Sequence, residues 1–193
     1  MARSVEFIPQ EKVEKALQVF WQKGYHGTSM QNLVDAMQIN RSSLYNSFQD
    51  KHSLFLECLR SYAELSRTDY EAIARQQELS ALQALDLLID HIAEMTVQRE
   101  HACMEVKSCF EMAGQDPEVQ HVLKAANANI VKLLQNLLKA AEQVGDIRLQ
   151  DSPEVVASYI SNSFCGWWHS HLLLQDSALI KKMAVLLKAS LRT

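Results

Sequence analysis

The order of apolar and polar residues along the chain divides it into helical periods. From Pro9 to Lys23, Val13, Ala16, Leu17, Phe20 and Trp21 recur as one apolar stripe of an amphipathic helix. Thr28-Ser29 can cap a second, short helix with Leu33, Val34 and Met37 inward, and Gln38-Ile39-Asn40 interrupts it. Asn40 can cap a third short helix, Arg41 to Phe48, with Leu44 and Phe48 inward. Asp50 can cap a long fourth helix from about Lys51, carrying Leu54, Phe55, Cys58, Leu59, Tyr62 and Leu65. Two short helices joined by a tight turn, behind a stabilising first helix, follow the helix-turn-helix plan.

The rest of the chain reads as longer helices. Ser80 caps one through about Gln98, and others run from about His101 to Met112, Pro117 to Val144, Pro153 to Leu174 and Ser177 to Leu191. Asp116 and Ser152 stand just before a proline, the usual pairing of an N-cap with Pro in the first turn. Gly24, Gly27, Gly114 and Gly145 fall at helix stops, whereas Gly166 lies inside an apolar run and predicts a close helix contact.

Composition agrees with this reading. Five Gly and three Pro in 193 residues leave too few turn-makers for an all-β sandwich or barrel. With 48% apolar and 22% charged residues the chain is globular, and the expected class is all-α. No apolar run approaches the ~20 residues of a membrane span, so no membrane partner is expected. Met1–Gln10 lacks the pattern of a signal peptide. Cys58, Cys103, Cys109 and Cys165 form no CxxC pair, which places the chain in a reducing cytoplasm.

Charge narrows the partner. Residues 1–60 hold seven basic and six acidic residues, and the remainder hold twelve basic and seventeen acidic. A polyanion should therefore meet the N-terminal part. Arg41, Ser42, Ser43, Tyr45 and Asn46 are too polar to pack inward with Leu44 and Phe48. Early positions of a recognition helix reach the major groove first. Arg41 could bond a guanine bidentately or a phosphate, and Ser42 and Ser43 are small enough for close approach. Tyr45, Asn46, Thr28 and Lys51 suit phosphate, helped by helix N-termini at Thr28 and Lys51. Thr28 and Asn40 could also serve as caps alone. Arg3 could reach a minor groove, or the short arm could fray.

Gly24-Tyr25-His26-Gly27-Thr28-Ser29, Leu33-Val34-Asp35-Ala36-Met37, Ile39 to Phe48 and Asp50-Lys51 together resemble the DNA-binding domain of the TetR family of bacterial transcriptional regulators. The resemblance covers about residues 10–55 and is looser beyond. It implies an N-terminal three-helix helix-turn-helix domain over residues 1–50 and a helical effector-binding and dimerisation domain over residues 51–193. It also implies DNA contacts at Thr28, Ser29, Arg41, Ser42, Ser43, Tyr45, Asn46 and Lys51. The family often has glycine where this turn has Gln38. A left-handed backbone there would cost Gln38 about 1 kcal/mol.

The last two predicted helices carry Val155, Val156, Tyr159, Ile160, Phe164, Trp167 and Trp168, then Ile180, Met183, Ala184, Leu186, Leu187 and Leu191. Pairing with a second copy as a four-helix bundle would bury this surface, and a helix-turn-helix reader needs two half-sites. Helices of one subunit covering both faces is the alternative. An effector pocket is expected among the fifth to eighth helices, with His91, Met95, Met104, Phe110, Trp168 and His171 as candidate liners of a largely apolar cavity.

Cys103 carries a second possibility. Cys103-Met104-Glu105-Val106-Lys107 resembles the thiol-sensing branch of the family, in which a lysine follows the cysteine by four residues. On a helix the two would be neighbours, and Lys107 could stabilise a thiolate. A small packing residue is the plainer reading. A Cys103–Cys109 disulfide within an intact helix is excluded, because the two lie about 9 Å apart along the axis. Cys58 and Cys165 read as core cysteines.

No metal set is found: Glu118 and His121 form one Glu-x-x-His pair where a di-iron bundle needs two. His169 and His171 do not share a helix face. No nucleophile–base pair supports an enzyme, and no cofactor is expected. The reading is a cytoplasmic homodimeric regulator, a repressor of a palindromic duplex operator released by a small-molecule effector or through Cys103. A helical binding protein or enzyme without DNA is the other class, and it would leave Arg41, Ser43, Tyr45 and Lys51 unexplained.

Overall fold

The structure is a computed structural model that describes residues 10–192; Arg3 and Pro9 lie outside the described residues. Among these residues the chain forms α1 (Gln10–Lys23), α2 (Met30–Met37), α3 (Arg41–Phe48), α4 (Lys51–Ala74), α5 (Ala81–Gln98), α6 (Met104–Met112), α7 (Pro117–Gln143), α8 (Pro153–Leu174) and α9 (Ser177–Ser190), with no strand. None of these helices is long and apolar enough to cross a membrane.

Local chemistry sets the helix starts. Asn40 Oδ1 accepts from the Ser43 amide, Asp50 Oδ1 from Ser53 and Ser152 Oγ from Val155. Asp116 Oδ1 accepts from both Glu118 and Val119, and Ser80 closes a reciprocal box with Gln83. Each such cap satisfies amides that the first turn leaves without a helical partner. The cap of α2 is Ser29, bonded reciprocally with Asn32, and not Thr28. Thr28 is 2% exposed, and its hydroxyl donates to the Gly24 carbonyl at 2.6 Å.

The chain forms two compact units. One holds the described residues up to Glu64 together with Met104–Leu123; the other holds Leu65–Cys103 and the described residues from Lys124 onward. In the first unit, Val13, Leu17 and Phe20 of α1, Leu33 and Met37 of α2, Leu44 of α3 and Leu54, Phe55 and Leu59 of α4 are buried. Phe20 meets Phe55 edge-on at 5.1 Å. Cys58 is buried as expected; its Sγ lies 3.7 Å from the Val13 carbonyl, and burial pushes the thiol pKa up.

The second unit buries Leu85, Leu88, Ile89 and Ile92 of α5 with Leu138 of α7, Phe164 and Trp167 of α8, and Ile180 and Leu187 of α9. Asp86, Asp90 and Glu94 line one face of α5 and pair with Arg192, Lys188 and Lys181 in reverse order, so α9 runs antiparallel to α5.

Several expectations are corrected here. The sixth helix begins at Met104, not His101, which leaves Cys103 ahead of it. Cys165 is exposed rather than core. A Cβ added at Gly166 would meet nothing within 4 Å, so no helix of this chain packs closely there. In the last two helices Ile160, Phe164, Trp167, Trp168, Ile180, Ala184, Leu187 and Leu191 are buried within the chain itself. Only part of the apolar stripe is left for a partner.

Gln38 closes α2 in the left-handed region, with φ 54° and ψ 47°. The turn thus has the conformation that glycine adopts without strain. Gln38→Gly should leave the stability unchanged or raise it by up to about 1 kcal/mol, whereas Gln38→Val should lower it by about 1 kcal/mol or more. Urea unfolding of the two variants beside the wild type measures both signs.

Candidate nucleic-acid interface

The helix-turn-helix consists of α2, the turn Gln38-Ile39-Asn40, and α3. Leu44 is fully buried and Phe48 half-buried, which anchors one side of α3. Arg41, Ser42, Tyr45 and Asn46 are exposed on the other side, and Ser43 is half-buried. Tyr45 shows 47% of its surface, although a phenol ring would bury readily if packing called for it. The short helix therefore presents a polar face with small residues near its start, the shape that enters a major groove. Ser29, at the start of α2, is exposed.

Lys51 is held differently from the expectation. Its Nζ donates to the Tyr25 carbonyl at 2.9 Å and to the Thr28 carbonyl at 2.8 Å, and sits 4.2 Å from the centre of the Tyr25 ring. An ammonium has three N–H donors, so one is left beyond these two bonds. Lys51 is first a brace of the corner between α1 and α2. Thr28 is likewise turned inward, its hydroxyl bonded to the Gly24 carbonyl, whereas Ser29 is exposed.

The same corner is gripped from α6. Lys107 Nζ donates to the carbonyls of Trp21 and Gln22 at 3.1 and 2.8 Å, groups that the end of α1 leaves unpaired. One turn on, Glu111 accepts from the amides of Tyr25 and His26 at 3.0 and 2.7 Å. Gly24 has φ 75°, a conformation that favours glycine, and a Cβ there would lie 2.6 Å from a Glu111 oxygen and push that side chain off the two amides it holds. Tyr25 fills the underside of the corner, 5.0 Å from Phe55 and 6.3 Å from His52. Burial, with Asp50 and Asp116 nearby, raises the pKa of its hydroxyl. His52 Nε2 lies 2.7 Å from Asp116 Oδ2, which ties α4 to the start of α7.

Glu111, Gln31 and the His52–Asp116 pair were not singled out from the sequence. Lys107 and Glu111 stand four apart with opposite charge, a pattern that reads as a solvated helix pair. Only the fold brings a second backbone against them.

The remaining candidates separate. Lys107 Nζ donates to two α1 carbonyls, and Cys103 lies ahead of α6 rather than within it. Phe110, 86% exposed, lines no pocket. Met104 belongs to the first unit and is buried, while His91, Met95, Trp168 and His171 belong to the second. His91 Nε2 pairs with Asp69 at 2.7 Å. Trp168 is core, and the Nδ1 of His171 is buried with no hydrogen-bond partner.

Glu105 of α6 is buried enough that its carboxyl is pushed from about 4.5 up to about 7. A carboxyl raised in the folded state costs stability once ionised, a penalty that grows between the unfolded and folded values. Glu105→Gln should therefore stabilise the protein above pH 7, with the gain shrinking as pH falls and vanishing below about 4.5. Denaturant midpoints taken from pH 4 to 8 follow the crossover.

A family model described as bacterial regulatory proteins, tetR family, matches residues 13–58. The chain is 28% identical over 170 residues to the uncharacterised HTH-type transcriptional regulator YezE of Bacillus subtilis, covering 84% of this chain and 85% of YezE. It is 28% identical over 137 residues to the HTH-type transcriptional repressor ComR of Escherichia coli, covering 70% and 65%. Its fold matches that of a cysteine mutant of the TetR family regulator CifR, solved with 26 bp double-strand operator DNA. The TM-score is 0.76 at 21% identity, and 98% of each chain is covered. The exposed polar face of α3, its buried anchors and these likenesses converge: residues 13–58 are a tetR-family DNA-binding domain, and the chain is an operator-DNA-binding transcriptional regulator, not an enzyme.

Proposed function

We propose that the protein is a homodimeric repressor that grips a palindromic operator and lets go when a small-molecule effector binds its C-terminal part. The functional division is taken at residue 50, with residues 1–50 reading DNA and 51–193 sensing and pairing. Arg41, Ser42, Ser43, Tyr45 and Asn46 of α3 face the groove. Ser29 and the third N–H of Lys51 meet phosphates. Two such faces on adjacent major grooves would stand about 34–36 Å apart.

One observation carries the release mechanism: α6 holds the backbone of the α1–α2 corner through Lys107 and Glu111. The chain enters α6 straight from the second compact unit, at Cys103–Met104, and returns to it at Leu123–Lys124. An effector that prefers a shifted arrangement of the second unit would draw on α6 and, through it, on the corner that sets α2 and α3. The shift requires a real difference in affinity between the two states. Met95, Trp168 and His171 are the liners we retain from the second unit, with the unpaired His171 Nδ1 as a polar anchor. Ligand release is taken ahead of thiol sensing because Cys103 stands before the first turn of α6 and not within the helix. Cys103→Ser and the wild type should release DNA equally under a mild oxidant; release by the wild type alone would restore the cysteine reading.

Dimerisation rests on α8 and α9. Val155, Tyr159, Gly166 and Leu173 follow one exposed stripe of α8, and Leu186 of α9 is 70% exposed. Two hollows of about 390 and 340 Å³ lie on these helices, both bordered by Tyr159. A second copy would fill them and cover the stripe. Leu186→Glu should yield a folded monomer by sedimentation, with operator affinity reduced at least a hundredfold.

The decisive experiment titrates the protein with palindromic and random duplexes across salt. Affinity should fall steeply with salt and favour the palindrome, since phosphate contacts release counterions. A flat or absent salt dependence would falsify the assigned interface.

A further inference from the structure

The polar face of α3 leaves two uses open for Arg41, a base or a phosphate. Its surroundings separate them. Arg41 Nη2 donates to Oε1 of Gln31 at 3.2 Å, and Nε2 of the same amide donates to Oδ1 of Asp35 at 2.7 Å. Gln31 and Asp35 stand one turn apart on α2, so helix geometry makes them neighbours. Arg41 is the first residue of α3, across the turn.

The chemistry permits one direction for this relay. An ionised carboxylate only accepts, and a guanidinium only donates. The amide between them must turn its NH₂ to Asp35 and its oxygen to Arg41. Asp35 thus fixes the flip of Gln31, and Gln31 fixes the guanidinium. All three residues are exposed, so no core packing explains the arrangement. The bond uses one of five N–H donors on Arg41 and leaves the others for a ligand.

A fixed guanidinium plane matters for one kind of contact. Pairing with O6 and N7 of guanine requires the fork to lie in the plane of the base. A phosphate can also be held bidentately, but its oxygens accept from many directions, so it tolerates more poses of the fork than a base edge does. A carboxylate one residue removed from the guanidinium also repels phosphate, which disfavours the backbone as the target.

We propose that Arg41 reads a guanine in each operator half-site, and that Gln31 and Asp35 are positioning residues that set its pose. The proposal rests on the operator-binding reading of α3.

The test uses the full chain. A preferred duplex is first selected from a random pool with the wild type. Binding of the wild type, Arg41→Ala, Arg41→Lys, Gln31→Met and Asp35→Ala is then measured on that duplex, on its single-base variants and on random duplex, across salt. Arg41→Ala should abolish a guanine preference of about tenfold or more at one position of the half-site. Arg41→Lys should lose the same preference while keeping its charge. Gln31→Met and Asp35→Ala should weaken preference at that same position about fivefold, with the salt dependence unchanged. Thermal melts should match the wild type, since the three side chains lie on the surface.

Two outcomes overturn the proposal. In one, Arg41→Ala weakens all duplexes alike and lowers the salt slope by about one, the mark of a phosphate contact. In the other, Gln31→Met and Asp35→Ala leave the guanine preference intact. A wild-type chain that selects no duplex would remove the operator reading along with the proposal. Selection by the wild type with a phosphate-like Arg41 would remove the proposal alone.

Discussion

The structure of the DNA-reading unit depends on how the backbone between Trp21 and Thr28 is satisfied. This corner ends α1, turns through a positive-φ glycine and starts α2, so its amides and carbonyls have few helical partners. Two lysines and one glutamate supply them: Lys51 from α4, Lys107 and Glu111 from α6. Charge-assisted bonds of this kind are stronger than neutral ones, and each leaves a carbonyl or amide stranded when removed. Three elements far apart in sequence therefore agree on one geometry for the helix-turn-helix.

The exposed residues Arg41, Ser42, Tyr45 and Asn46 of α3 contribute nothing to the core, which leaves their side chains available to a partner. The corner beside them is held by α6, which lies in a segment, Met104–Leu123, that the chain enters from the other compact unit and leaves to it again. Glu105, a carboxyl pushed to about 7 by burial on that helix, adds a built-in cost to the same element.

Much of this was legible in the residues before any coordinates. The caps at Asn40, Asp50, Ser80, Asp116 and Ser152 stand where local chemistry places them, because a cap depends only on residues three positions away. The α3 boundaries and its two faces followed from Leu44 and Phe48 against five polar neighbours. Gln38 adopts the left-handed conformation that its place in the turn implied. Less was legible for side chains with distant partners. Thr28 and Lys51 have the chemistry of phosphate ligands, yet the fold offers them carbonyls first. Lys107 has the spacing of a partner for Cys103, yet the helix begins one residue later than that cysteine and turns the ammonium to α1. Phe110 has the character of a pocket liner and stands in the open.

By itself the sequence determined the helices, their caps, the turn and the exposed polar face of α3. These are local: hydrophobic period, capping and backbone preference act over a few residues and survive any arrangement of the rest. Tertiary structure decided which charged groups meet the α1–α2 corner and which apolar stripes the chain covers itself. It also decided that Gln31 bonds both Asp35 and Arg41. Those outcomes depend on two segments arriving at one place, and a long polar side chain bonds whichever unsatisfied group arrives within about 3 Å of it. Spacing along the chain carries no record of that meeting.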